Sequence, residues 1–156
     1  MTTSGQATAS RDSRSFGDRC MCLQLRRAAR LISQVYDDEV RPTGMGMAQY
    51  AILGGLTRMG DATQTELAAR LTLDPTTLNR TIAPLVAKGL ITRGRRPEDR
   101  RGLVLHVTPD GTARLRAASS HWRQAQQRVR TALGDKGWTD LHALLGSLLD
   151  ELPRER

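Results

Sequence analysis

Residues 63–108, TQTELAARLTLDPTTLNRTIAPLVAKGLITRGRRPEDRRGLVLHVT, constrain this chain more than any other stretch. Thr63-Gln64-Thr65-Glu66 has the form of a capping box, in which the Thr hydroxyl and the Glu carboxylate each take a backbone N–H at a helix start. Leu67, Ala68 and Leu71 then give that helix an inward face. Thr72–Leu73 turns the chain. Asp74 is a good N-cap and Pro75 a good first helical residue, since its missing N–H has no partner to lose there. Leu78, Ile82, Leu85 and Val86 bury one side of this second helix, and Gly89 ends it. Leu90–Arg93 and Leu103–Val107 alternate as two strands around the charged turn GRRPEDRRG. The order helix, turn, helix, strand, charged loop, strand is a winged helix. It offers a helix to a DNA major groove and a basic loop to the neighbouring minor groove or backbone.

The segments on either side are helical. Cys22, Leu25, Ala29, Ile32 and Tyr36 step by three and four, and Pro42 and Gly44 stop that helix. Met47 to Met59 forms a shorter helix closed by Gly60. Thr108-Pro109-Asp110-Gly111 opens another, whose stripe is Leu115, Ala118, Trp122, Ala125, Val129 and Ala132. Gly134 and Gly137 are expected to break it, and Trp138, Leu141, Leu145, Leu148 and Leu152 stripe a last helix. Pro84 is expected to kink the helix it interrupts. The fold class is therefore mainly α with a small β-hairpin wing: a winged helix-turn-helix flanked by N- and C-terminal dimerisation helices. The DNA-reading lobe covers about 47–108 and the flanking helices about 20–41 and 109–152, within one regulator domain over 19–156. The flanking stripes either pack on one another in a monomer or form a shared dimer core, and dimerisation is the expectation because the lobe already has core residues of its own.

Charge supports this reading. Against 16 acids stand 24 bases, a net charge of +8, and only Lys88 and Lys136 are lysines. Arginine suits bidentate contact with phosphates and guanine edges. The groove-reading candidates are Thr76, Thr77, Asn79 and Arg80: Asn matches an adenine edge, Arg a guanine edge, and Thr hydroxyls reach phosphates or bases. The wing candidates are Arg95, Arg96, Arg100 and Arg101, where a carboxylate such as Asp99 can hold a guanidinium in place before DNA arrives. Residues 1–18, rich in Ser, Thr, Gly and Arg, read as a disordered tail with no secretory signal. No apolar run is long enough to span a bilayer. Two cysteines make no disulfide framework, so a reducing cytoplasm is the expected compartment. His106, His121 and His142 lack metal-ligand spacing, and no cofactor loop, nucleophile elbow or carboxylate pair is present, so neither a metal, a cofactor nor an enzyme activity is expected.

The run PEDRRGLVLHVTPDG (97–111) resembles the wing signature of the MarR family of bacterial transcription regulators, and LAARLTLDPTTLNRTIAPLVAKGLITR (67–93) resembles that family's recognition region. The resemblance covers most of 22–115, although Pro84 is not part of the usual pattern. It implies a homodimer on a pseudo-palindromic operator, usually as a repressor. Arg101 then maps to the arginine that enters the minor groove, and Asp99 to the acid that supports the wing, with Arg93 as its partner. It also implies a small phenolic or lipophilic effector in a crevice between the dimer helices and the reading lobe, or an oxidant. One branch of the family senses organic hydroperoxides with a lone Cys near Cys22 and a Tyr fourteen residues on, here Tyr36. That branch also has a Tyr four residues after the Cys, where this chain has Arg26. A cation and a helix N-terminus both favour a thiolate. Cys22 is thus a candidate sensor, condensing with another thiol such as Cys20 of the partner subunit, or an ordinary packed thiol. Two further classes remain open at this level, a thiol enzyme consuming peroxide through Cys22 and a winged helix used only to bind protein.

Overall fold

The computed structural model describes residues 20–95 and 103–152. The tail 1–18 and the wing residues Arg96, Asp99, Arg100 and Arg101 lie outside the described residues. The elements are α1 Met21–Val40, a 3-10 turn Arg41–Thr43, α2 Met47–Met59, β1 Ala62–Thr63, α3 Gln64–Leu71, α4 Pro75–Ala87, β2 Ile91–Arg95, β3 Leu103–Val107 and α5 Pro109–Glu151. The chain divides into two compact units at Val35/Tyr36, inside α1. The described part of the first unit is the run from Cys20 to Val35. Cys20 sits immediately before the helix and its carbonyl accepts from the Gln24 N–H at 3.0 Å.

The second unit holds the core. Ile52, Leu53 and Leu56 of α2 meet Leu67 of α3, Leu78, Ile82 and Leu85 of α4, and Ile91 and Leu105 of the sheet, all fully buried. Leu67, Leu78, Ile82 and Leu85 are the inward positions expected from sequence, and no polar side chain is buried among the described residues, so burial of side chains costs no desolvation of polar groups. Tyr50 of α2 stacks on Trp122 of α5 with ring centroids 6.1 Å apart. Asp37 takes the N–H of Met47 at 2.9 Å, which satisfies an otherwise orphaned donor at the start of α2. Arg128 of α5 pairs with Glu39 at 2.7 Å.

The sheet is three-stranded and antiparallel, in the order β1-β3-β2. β2 and β3 pair from Ile91↔Val107 to Arg95↔Leu103, and β1 adds Ala62↔Leu105 and Thr63↔Val104. A two-residue strand carries too little alternation to be read from sequence, and β1 was not expected. The hairpin's first strand is also displaced from the expected Leu90–Arg93. Leu90 is held back from the strand because its N–H returns to the Leu85 carbonyl at the end of α4, at 2.9 Å.

One other expectation, a break at Gly137, needs correction. Gly134 does leave helical geometry, at φ 70 and ψ 165, a region that only glycine enters readily, but Gly137 stays inside α5. α4 runs on through Pro84 to Ala87. Proline leaves the Arg80 carbonyl without its usual N–H, and Arg80 lies on the exposed side of the helix, where solvent can satisfy that oxygen.

Candidate nucleic-acid interface

α3 and α4 make the helix-turn-helix, and each start is fixed by side chains. Thr63 Oγ1 accepts from the Glu66 N–H at 3.2 Å, and Glu66 Oε2 accepts from the Thr63 N–H at 2.7 Å, the expected reciprocal cap. Between the helices Thr72 adopts φ 52, ψ 44, and the Leu73 N–H returns to the Ala68 carbonyl at 3.0 Å. Asp74 caps α4 by accepting from the Thr77 N–H at 2.9 Å. A hydrogen bond from the Thr77 side chain, then those from the backbone, hold the Asp74 carboxyl below its usual range. Thr77 is half-buried, and of the four groove-reading candidates it is the one bonded to the capping Asp74.

Thr76, Asn79 and Arg80 are exposed on α4, and Ala83 and Ala87 continue the same open side at helical spacing. The alanines were not singled out from the sequence because they read as neutral helix formers. On a face without bulk they let a groove edge come close, and a methyl can meet a thymine methyl.

Asn79 also opens onto a cleft of about 510 Å³ lined by Thr63, Gln64, Thr65, Arg93, Leu103 and Leu105. Arg93 and Asn79, assigned separate roles from sequence, thus share one concavity at the junction of α3, α4 and the hairpin. Gln64 and Thr65 join them at the N-terminus of α3, a contribution visible only once the helix is placed beside the sheet. Arg95 ends β2, exposed, opposite Leu103, itself 62% exposed. Arg95 is the last described residue of β2, and the run Arg96-Pro97-Glu98-Asp99-Arg100-Arg101 that follows it in sequence, with the Arg93–Asp99 pair expected there, lies outside the described residues.

The Thr-x-x-Gly that follows the wing has a plain geometric reason. Thr108 Oγ1 donates to the Gly89 carbonyl at 2.8 Å and accepts the Gly111 N–H at 3.0 Å. Gly111 lies so close to the Leu90 carbonyl that a β-carbon there would stand 2.2 Å from its oxygen. This locks α5 onto the turn between α4 and β2. At the other end of the chain, Cys22 is exposed one residue into α1, Cys20 is half-buried, and both thiols are free. Burial pushes the Tyr36 phenol up, so it stays protonated. No group of His, Cys, Asp and Glu among the described residues could hold a metal ion, and no described helix is long and apolar enough to cross a membrane.

An open recognition helix, a reciprocal cap on its partner helix and a hairpin ending in arginine define a winged helix-turn-helix DNA-binding protein of the transcription-regulator class. A family profile described as MarR family matches residues 43–102. An uncharacterised HTH-type transcriptional regulator, YwoH of Bacillus subtilis, is 30% identical over 96 residues, which span 62% of this chain and 69% of that protein. The crystal structure of the Mycobacterium tuberculosis transcriptional regulator MosR superposes with a TM-score of 0.74 at 31% identity, covering 86% of this chain and 96% of that one. A MarR mutant from E. coli complexed with operator DNA shares the fold, with a TM-score of 0.73 at 24% identity over 86% of this chain and 97% of the other. The chain belongs to the MarR family.

Proposed function

We propose that the protein is a homodimeric regulator that binds a pseudo-palindromic operator through α4 and the wing, acting as a repressor released by a small phenolic or lipophilic effector or by cysteine oxidation. The observation that carries this reading is the cleft that Asn79 of α4 shares with Arg93 of β2, next to the exposed Thr76 and Arg80 on the same helix. The helix supplies base-edge contacts, and the arginines supply phosphate and minor-groove contacts. Half-sites should lie about one helical turn apart. The homologous regulators and the operator-bound MarR structure support a regulator over an enzyme or a protein-only module.

Selection of bound fragments from genomic DNA tests the proposal. The parent should enrich a palindrome, and its affinity should fall steeply with salt because each neutralised phosphate releases counterions. Arg101→Ala should weaken operator binding by about 1–3 kcal/mol. Parent-like binding by that variant would remove the wing assignment.

The exposure of Cys22 at the start of α1 favours the oxidant branch of the proposal. The thiolate would attack a hydroperoxide to give a sulfenic acid and an alcohol, and a second thiol, such as Cys20 of the partner subunit, would then give a disulfide and water. Mass spectrometry after stoichiometric hydroperoxide, with operator binding followed in parallel, decides this. Unchanged mass and unchanged affinity would leave the small-molecule effector alone.

A further inference from the structure

Behind the hairpin, on the face away from the cleft, His106 joins two parts of the molecule that must agree for a wing to reach DNA. His106 of β3 lies opposite Thr92 of β2, while Arg93, Leu103 and Leu105, which line the cleft, occupy the alternate positions and so the other face. On one side the ring meets Asp61, with Nδ1 2.5 Å from Oδ1. An ionised carboxylate only accepts, so Nδ1 carries the proton in this bond. Asp61 immediately precedes β1, whose Thr63 caps α3. On the other side the ring lies against Gly94, the diagonal neighbour on β2. A β-carbon on Gly94 would stand 2.6 Å from His106 Nε2 and 3.0 Å from Cδ2. Gly94 is followed at once by Arg95 and the wing loop.

A continuous line of contact therefore runs from the start of the helix-turn-helix through Asp61 and His106 to Gly94, one residue before Arg95 at the end of β2. The pair is solvent-accessible, with side-chain exposures of 31% for His106 and 50% for Asp61. Ion pairs this exposed add little to overall stability. What the ring does is occupy the space that glycine leaves on β2 while its other edge is tethered to the base of α3.

We propose that His106 is a positioning residue for DNA recognition: clipped to Asp61 and seated on Gly94, it sets the direction in which the end of β2, with Arg95, leaves the sheet, without touching DNA itself. This rests on the DNA-binding reading above, and the test separates the two. Full-length protein is titrated against two duplexes, the selected operator with its flanks and the same site trimmed to the half-sites. His106→Ala should bind the flanked duplex about tenfold more weakly, inside the range for one lost DNA contact, and the trimmed duplex within about threefold of the parent. His106→Asn, whose amide can donate from near the Nδ1 position, should recover most of the loss. Gly94→Ala should reproduce the defect, and combining it with His106→Ala should add little, because both act on one contact. Hydrogen exchange at residues 91–95 should quicken in His106→Ala while that of α4 does not change. Equal losses on both duplexes with a lowered melting temperature, or no loss on the flanked duplex, would overturn the proposal. A parent that binds neither duplex defeats the regulator reading instead, and unchanged exchange at 91–95 then defeats the clip on its own terms.

Discussion

Thr72 and Gly111 hold this fold at two points by backbone geometry, and they respond to substitution in opposite directions. Thr72 is the one non-glycine residue of positive φ among the described residues, at 52°, in the turn between α3 and α4. A β-branched side chain is strained there, since left-handed geometry costs an L-residue about 1–2 kcal/mol. Thr72→Gly removes that strain but adds chain entropy to the unfolded state. The net expectation is a gain of about 0.5–1 kcal/mol in chemical denaturation. Gly111 is the reverse case. Its missing β-carbon makes room for the Leu90 carbonyl and for Val107 Cγ1, at 2.2 and 2.9 Å from where that carbon would be, and backbone cannot step aside as a flexible side chain can. Gly111→Ala should cost about 1–3 kcal/mol, the usual range for forced overpacking, and lower the melting temperature by several degrees. A melting curve superimposable on the parent's would show that α5 is not pinned to the α4–β2 turn in the way these distances indicate.

At the level of elements, α4 should respond to acid. The Asp74 carboxyl is held below its ordinary value by Thr77, so the folded helix favours the ionised form. A group whose pKa falls on folding stabilises above its unfolded value and loses that contribution as pH drops through the folded one. The start of α4 should therefore loosen below about pH 4, the ordinary carboxylate range, and keep its cap at neutral pH. Asp74→Asn, which still accepts but cannot titrate, should flatten this acid response. Amide shifts of Thr76 and Thr77 followed by NMR from pH 7 to 3 would read it, and an identical acid profile in both proteins would refute the assignment. This cap was legible in the sequence, as were the capping box, α2 and the inward faces of α3 and α4, because each is a local pattern of side-chain chemistry. Features that depend on distant segments were not. β1 exists because β3 offers Ala62 and Thr63 a free edge. Asn79, Arg93 and Gln64 share a cleft only after the hairpin folds back. The commitment of Thr77 to the cap competes with its reading as a DNA contact, and periodicity alone cannot decide between two uses of one hydroxyl.

The whole molecule leaves a second demand that one chain does not meet. On the arm of α5 beyond Gly134 and just past its end, Leu144 is 68% exposed, Leu149 and Leu152 are each 57% exposed, and Leu145 and Leu148 are more than one-third exposed. Five leucines within nine residues form a contiguous apolar surface of the kind that marks an association site. A second copy of the chain is the occupant that the proposed palindromic operator would also call for, since two-fold DNA symmetry is matched by a two-fold protein. Leu144→Asp with Leu148→Asp tests this cleanly. Leu144 is 68% and Leu148 38% exposed in the isolated chain and neither belongs to the core around Ile52, Leu78 and Leu105, so that core should be untouched and the circular dichroism unchanged. Light scattering should give the parent at twice the chain mass and the variant at the chain mass. Losing the second reading head should weaken operator binding at least about a hundredfold, because the two heads of a dimer act at a high effective concentration on one duplex. A variant that stays dimeric would place the interface elsewhere. A monomeric variant that still binds the palindrome with parental affinity would mean that a single head suffices for recognition.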